Sequence, residues 1–164
     1  MFERYSDAAG LALYGARLEA TRTRCEQLGS EHILLGLLHA HGGVAARLLV
    51  EAGLRLEMLR QRIAAGSSDV AASVEILFTD SAKRALDAAV HEADAMASRE
   101  ITTGHLLLGL LHDDETIAFG ILRQAGIRLN DARTQVEDAA RAGREMRAST
   151  AATALADLLN REQA

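Results

Sequence analysis

The segment Glu31-His32-Ile33-Leu34-Leu35-Gly36-Leu37-Leu38-His39 returns 73 residues later as Gly104-His105-Leu106-Leu107-Leu108-Gly109-Leu110-Leu111-His112. The same offset joins Ser6 to Thr79, Ala45 to Ala118, Gly53 to Gly126 and Leu56 to Leu129. Separated matches at one ungapped spacing mark a duplicated unit. A unit of about 70 residues is marginal alone, so the two copies are expected to share one core across a pseudo-twofold axis.

Each copy reads as four helices. The first opens at Ser6 or Thr79, hydroxyl residues suited to capping an orphan helix N–H, and is expected over 6–28 and 79–97. Leu11 and Leu18 in one copy, and Leu86, Ala89 and Val90 in the other, are spaced to form its buried face. The second helix starts after Ser30 or Thr103, read as its N-caps. It carries the Leu-Leu-Gly-Leu-Leu run, apolar nearly all round, and so belongs at the centre. Gly36 and Gly109 within that run predict close helix–helix approach, because a mid-helix glycine otherwise costs about 1 kcal/mol against alanine. A third helix is expected over 44–52 and 116–125, ended by Gly53 and Gly126 in the left-handed position. A fourth is expected over 56–65 and 129–141. The stretch Gly66-Ser67-Ser68-Asp69 reads as the linker. The expected organisation is one compact helical domain over 1–141, with repeats at about 1–66 and 75–141, then a helical or frayed tail over 142–164 in which 154–159 could form a short terminal helix.

Composition agrees with an all-α class. Aromatic residues are 3% of the chain and proline is absent, whereas a sandwich or barrel needs more β-branched, aromatic and turn-forming residues. The formal charge of −5 argues against a nucleic-acid binder, which must neutralise phosphates. Cys25 is the only cysteine, so neither an internal disulfide nor a thiolate metal cluster can form. No stretch is long and apolar enough for a membrane span, and the N-terminus lacks the apolar region of a signal peptide, so the chain is expected to be cytoplasmic. Lys83, the sole lysine, follows no glycine-rich loop, so no P-loop nucleotide site is present. No metal or other cofactor is expected: His39 and His41 lie close in sequence but lack a ligand pattern. His32 and His105 are read as making structural hydrogen bonds between helices.

The opening Met1-Phe2-Glu3-Arg4-Tyr5-Ser6, the run from Gly29 through Leu38, Val44-Ala45-Ala46 with Ala52-Gly53, and Phe78-Thr79 with Ala82-Lys83-Arg84-Ala85 together resemble the double Clp N-terminal repeat, closer to its ClpC branch than to its disaggregase branch. The resemblance covers about 1–141. In that family the domain precedes two ATPase modules and receives substrates or adaptor proteins. The tail does not resemble the family's usual link into those modules, which favours a free-standing domain.

The resemblance implies a phosphoarginine site, in which a carboxylate holds the guanidinium while helix N–H groups and hydroxyls hold the phosphate. Glu31, beside Ser30, matches the family's guanidinium-binding glutamate. Read from the residues alone, Glu31 complements a helix dipole; both readings stand. Its counterpart is Gly104, which carries no charge, so at most one such pocket is expected, with Thr103 left as an anion-holding hydroxyl in the second copy. Ser6 and Thr79 resemble hydroxyls of the same sites, although plain N-caps are the simpler reading. Phe2 and Phe78 resemble the aromatics of a pocket for cyclic peptides, and the simpler reading places them against the core.

The function expected is a non-catalytic protein-binding module of the Clp proteolytic system. It would recognise substrates or adaptors, arginine-phosphorylated proteins among them, or act as a decoy for the unfoldase's own N-domain that could also sequester cyclic peptides. A small hydrolase reusing the scaffold, and a regulatory partner docking by its terminal helix, are the alternatives; no nucleophile–base spacing supports the first.

Overall fold

A computed structural model describes residues 3–64 and 77–162; the linker candidate 66–69 and Phe2 lie outside them. Among the described residues the order is α1 (Asp7–Arg22), β1 (Gln27–Leu28), α2 (Ser30–His39), α3 (Val44–Glu51), α4 (Leu56–Ala64), β2 (Leu77–Phe78), α5 (Asp80–Ala95), α6 (Thr103–Leu110), α7 (Ile117–Gln124) and α8 (Leu129–Glu162). The all-α double repeat is what the duplication required. Where 129–141 and a separate terminal helix were expected, α8 runs on as one helix.

The two leucine-rich helices form the centre. Every residue of α6 is buried, as are Ser30 and His32 through Leu38 of α2. Each lies against its own repeat's first helix across a glycine. A Cβ on Gly36 would overlap the Ala12 carbonyl oxygen and sit 2.7 Å from Ala16 N; one on Gly109 would overlap the Ala85 carbonyl oxygen. The facing sides of α1 and α5 are accordingly built from small residues: Ala9, Ala12, Gly15, Ala16 and Ala20 in one, Ala82, Ala85, Ala89 and Ala93 in the other. This overturns the expected buried face of α1. Leu11 and Leu18 are exposed, because the close approach at Gly36 leaves room only for alanine and glycine on the core side. Leu86 and Ala89 are buried as expected.

Both first helices stop sooner than expected, at Arg22 and Ala95. Cys25 N–H bonds to Ala20 O at 2.9 Å and Arg24 N–H to Thr21 O at 3.1 Å, with Arg24 at φ +56°; Ser98, Ala97 and φ +52° repeat the arrangement. These are Schellman ends without the glycine that marks them at Gly53 and Gly126, both at φ +82°. The chain thus released forms the ties between repeats. Gln27–Leu28 pairs in parallel with Leu77–Phe78, and Tyr5 bridges Ile101. Tyr5 and Phe78, like Leu28 and Ile101, are equivalents at the 73-residue offset, so each repeat sends its lead-in segment to the other.

The start of α2 and α6 is also shifted by one residue. Gly29 and Thr102, not Ser30 and Thr103, are the N-caps. His32 Nδ1 accepts the Gly29 N–H at 2.9 Å, and His105 Nδ1 accepts the Thr102 N–H at 3.0 Å. The imidazole replaces the usual Glu or Gln of a capping box, so the two histidines cap their own helices rather than joining different ones.

A second repeated device went unread in the sequence. Glu19, 1% exposed on α1, accepts hydrogen bonds from Arg60 Nε of α4 at 3.1 Å to both oxygens, from His39 Nε2 at the end of α2 at 2.9 Å, and from Arg22 Nε at 3.2 Å. Glu92 repeats it with Arg133 Nε at 2.9 Å and His112 Nε2 at 2.7 Å. Burial alone would raise the Glu19 pKa, but the donors outweigh it and hold it at about 2. The bonds from Arg133 lower that of Glu92 against the same burial, with help from His112. Each carboxylate clamps its repeat's first, second and fourth helical segments.

Candidate protein-binding groove

The lead-in pairing decides which predicted residues meet. Thr79 N–H bonds to Leu28 O at 3.0 Å, which brings the N-terminus of α5 beside that of α2; Ser6 N–H bonds to Ile101 O at 3.0 Å, which brings α1 beside α6. Glu31 and Ser30 therefore belong with Thr79, and Ser6 with Thr103 and Gly104. Both sets cross between repeats.

Ser6 Oγ accepts the Ala9 N–H at 3.2 Å and Thr79 Oγ1 the Ala82 N–H at 3.1 Å, so each is an N-cap. Ser30 is buried in the first turn of α2. The Glu31 side chain, 26% exposed, folds back over Gly29 with one oxygen 3.7 Å from His32 Nδ1. At the pseudo-equivalent position the carboxylate is missing and there is no room for any side chain: a Cβ on Gly104 would lie 2.7 Å from Val136 Cγ2 and 2.8 Å from Val44 Cγ1. Thr103 is placed otherwise than expected. It is buried, and its Oγ1 accepts the Ala45 N–H at 3.3 Å, so its hydroxyl is spent on α3.

A groove of about 1020 Å³ runs along the outer side of α1, walled by Tyr5, Leu11, Leu13, Tyr14, Leu28, Leu77 and Phe78, with Asp7 and Arg17 among its polar residues. Ser6 and Phe78 of the predicted set line it. A recess of about 480 Å³ adjoins β2 and the start of α5, around Phe78, Thr79, Asp80 and Lys83. Neither is lined by Ser30, Glu31 or Thr103. Sequence reading missed Leu11, Tyr14 and Leu77. The available signal was the departure of α1 from its own repeat: Leu11 and Tyr14 stand where the second copy has Arg84 and Asp87. Among the described residues no group of three His, Cys, Asp or Glu side chains is placed to hold a metal.

The fold is a helical double repeat that opens an apolar groove on its first helix and clamps each half with a buried carboxylate. The chain belongs to the Clp repeat (R) N-terminal domain family, which matches residues 4–75 and 77–161. It is 40% identical over 140 residues to the chloroplastic chaperone protein ClpC1 of Oryza sativa, covering 83% of this chain and 15% of that one. It is 32% identical over 174 residues to the chaperone protein ClpB of Oceanobacillus iheyensis, covering 99% of this chain and 21% of that one. The chain thus spans under a quarter of the length of these relatives. The fold matches the N-terminal domain of ClpD from Arabidopsis thaliana with a TM-score of 0.67 at 21% identity, over 86% of this chain and 97% of that one. It matches a ClpV N-domain solved in complex with a VipB peptide with a TM-score of 0.65 at 18% identity, over 80% and 84%.

Proposed function

We propose that this chain is a non-catalytic protein-binding module that receives substrate or adaptor segments of a Clp system in the α1 groove. The observation that carries the reading is the groove itself: Leu11, Tyr14 and Leu77 are exposed apolar side chains on the wall of one recess. A surface of that kind on a water-exposed helix implies a partner. The peptide held by the ClpV N-domain of like fold supports it. Anisotropy of labelled casein, an unfolded model substrate, tests it. Binding is expected, and Tyr14→Glu combined with Leu77→Glu weakens it at least about tenfold, the loss of roughly 1.4 kcal/mol. Binding unchanged by that pair sinks the reading.

The finer reading adds an arginine-phosphate mark. Glu31, half-buried at the start of α2 and adjoining the N-terminus of α5 through the Thr79–Leu28 bond, offers a carboxylate next to helix N–H groups. Gly104, closed over by Val136, offers neither charge nor space. Calorimetric titration with phosphoarginine is therefore expected to find one site, lost in Glu31→Ala. Two equal sites, or none, refute it. A decoy role predicts in addition that the chain competes with a Clp unfoldase's own N-domain for casein or for a cyclic peptide, which a competition titration reads directly.

A further inference from the structure

Helices α1 and α5 occupy equivalent places, so α5 shows what the fold itself asks of α1's solvent face. At the 73-residue offset, Gly10, Leu11, Tyr14 and Leu18 correspond to Lys83, Arg84, Asp87 and His91. The fold accepts a charged or polar residue at all four. Instead α1 exposes Leu11 by 58%, Tyr14 by 61% and Leu18 by 46%. With Asp7 and Thr21 these positions recur at spacings of four, three, four and three, so the three apolar side chains share one stripe, a short seam on the solvent side of α1. Gly10 sits beside them in the second turn of α1. Among the described residues nothing lies within 4 Å of a Cβ built on it, so no contact among them requires a glycine, a weak helix former. The result is an open notch next to apolar knobs.

We propose that this seam pairs with the α1 seam of a second copy of the chain, the two helices antiparallel about a twofold axis near Tyr14. A twofold interface must be self-complementary, residue i meeting j while j meets i, and α1 meets that condition. Leu11 and Leu18 are equidistant from the midpoint between Tyr14 and Gly15, and so are Asp7 and Arg22. Leu18 of each copy then seats over the Gly10–Leu11 notch of the other, the two tyrosines meet at the axis, and each acidic start faces a basic end, where Arg22 holds Glu19 through Nε and keeps its side chain 48% exposed. Parallel pairing would set Asp7 on Asp7 and Arg22 on Arg22, which is repulsive. The antiparallel arrangement also places opposite charges at both helix termini. The seam is short, below the roughly 800 Å² per partner of a standard interface, so the dimer is weak. It shares Leu11 and Tyr14 with the groove, so pairing closes the groove. The pairing itself rests on α1 alone and not on what the groove binds.

Sedimentation equilibrium of the intact chain from about 10 µM to 1 mM, a range spanning roughly −7 to −4 kcal/mol of association, reads the result. The expected outcome is a rise from the 17.6 kDa monomer towards twice that mass. Leu11→Arg, Tyr14→Asp and Leu18→His together, which copy α5 and so keep a surface this fold already carries, are expected to stay monomeric with an unchanged helical circular dichroism spectrum. A spin label on Thr21→Cys (in a Cys25→Ser background) in one copy is expected to broaden the amides from Asp7 to Gly10 of a ¹⁵N-labelled second copy. A monomer throughout the range, a dimer that survives the triple substitution, or broadening confined to the end of α1 near Thr21 would each overturn the proposal.

Discussion

Thr103 Oγ1 accepts the backbone N–H of Ala45 at 3.3 Å, so a side chain of the second repeat caps a helix of the first. The reason lies in the duplication. The N-cap of α7 is Thr116, whose own hydroxyl accepts the Phe119 N–H at 3.1 Å, but its equivalent before α3 is Gly43, which has no side chain. Thr103 fills the space: a Cβ on Gly43 would overlap its hydroxyl and lie 2.8 Å from its Cγ2. Thr103→Val is expected to cost about 1 kcal/mol, as for loss of an N-cap, while Thr103→Ser keeps most of it. Urea denaturation of the two variants decides the matter, and equal losses would remove the cap from the account.

Substitutions at Gly36, Gly109 and Gly10 separate packing from propensity. Gly36→Ala or Gly109→Ala drives a methyl into a carbonyl oxygen of the neighbouring helix, and about 3 kcal/mol or outright misfolding is expected. Gly10→Ala meets open space and gains about 1 kcal/mol of helix propensity. Thermal melts of the three variants should move in opposite directions.

The Schellman ends at Arg24 and Ala97 hold non-glycine residues at φ +56° and +52°, where the Cβ is crowded. Ala97→Gly is expected to stabilise by about 0.5 kcal/mol, the steric relief exceeding the added chain entropy. A lower denaturation midpoint would show the helix end to be less constrained than the hydrogen bonds at Ser98 and Ala97 indicate.

Glu19→Gln removes the charge shared by Arg60, His39 and Arg22 and leaves the guanidinium of Arg60 with the exposed Glu57 as its anion. About 3 kcal/mol is expected, the lower end for a broken buried pair, because Arg60 keeps Glu57 as a partner. Arg60→Met with Glu19→Gln should recover part of that loss, and a double-mutant cycle measures the coupling.

Two acid limbs are expected in the stability profile. Burial lowers the pKa of His32, against the pull of Glu31 and Glu19, and lowers that of His105, each from an ordinary 6.5. The unfolded chain therefore binds protons first, and the stability these neutral rings supply, present above pH 6.5, is lost as pH falls below it. Protonation also removes the Nδ1 lone pair that accepts the Gly29 or Thr102 N–H. Glu19, held at about 2 against an ordinary 4.5, contributes stability that is full above pH 4.5 and disappears on descent towards 2. Urea midpoints should fall between pH 7 and 5, then again below 4.5. His32→Gln with His105→Gln keeps an acceptor that does not titrate and should flatten only the first limb.

Much of this architecture was legible in the sequence because it depends on local chemistry repeated at a fixed offset. The duplication is read from residue identity alone. Ser6 and Thr79 cap helices because a hydroxyl there can reach an N–H within three residues, and Gly53 and Gly126 end them because only the left-handed region closes that turn. The leucine run predicts a central helix from its lack of a polar face, and Gly36 and Gly109 within it predict the close approach that was found. The Glu19 clamp was also visible in principle, since Glu19, His39 and Arg60 return as Glu92, His112 and Arg133. It was passed over because a glutamate among alanines reads as solvent-facing until its partners are known.

What only the tertiary structure decided are the relations between segments distant in the chain. Leu11 and Leu18 have the spacing of a buried face, yet Gly36 brings α2 so near that the core side of α1 admits only alanine and glycine, which turns the leucines outward. The start of α5 adjoins that of α2, and the start of α1 that of α6, because two-residue lead-in segments pair across the repeats; a pairing that short leaves no periodic trace in sequence. Local hydrogen bonding and side-chain volume act within a turn or two and are written along the chain. Which face of a helix meets water depends on where every other helix comes to rest.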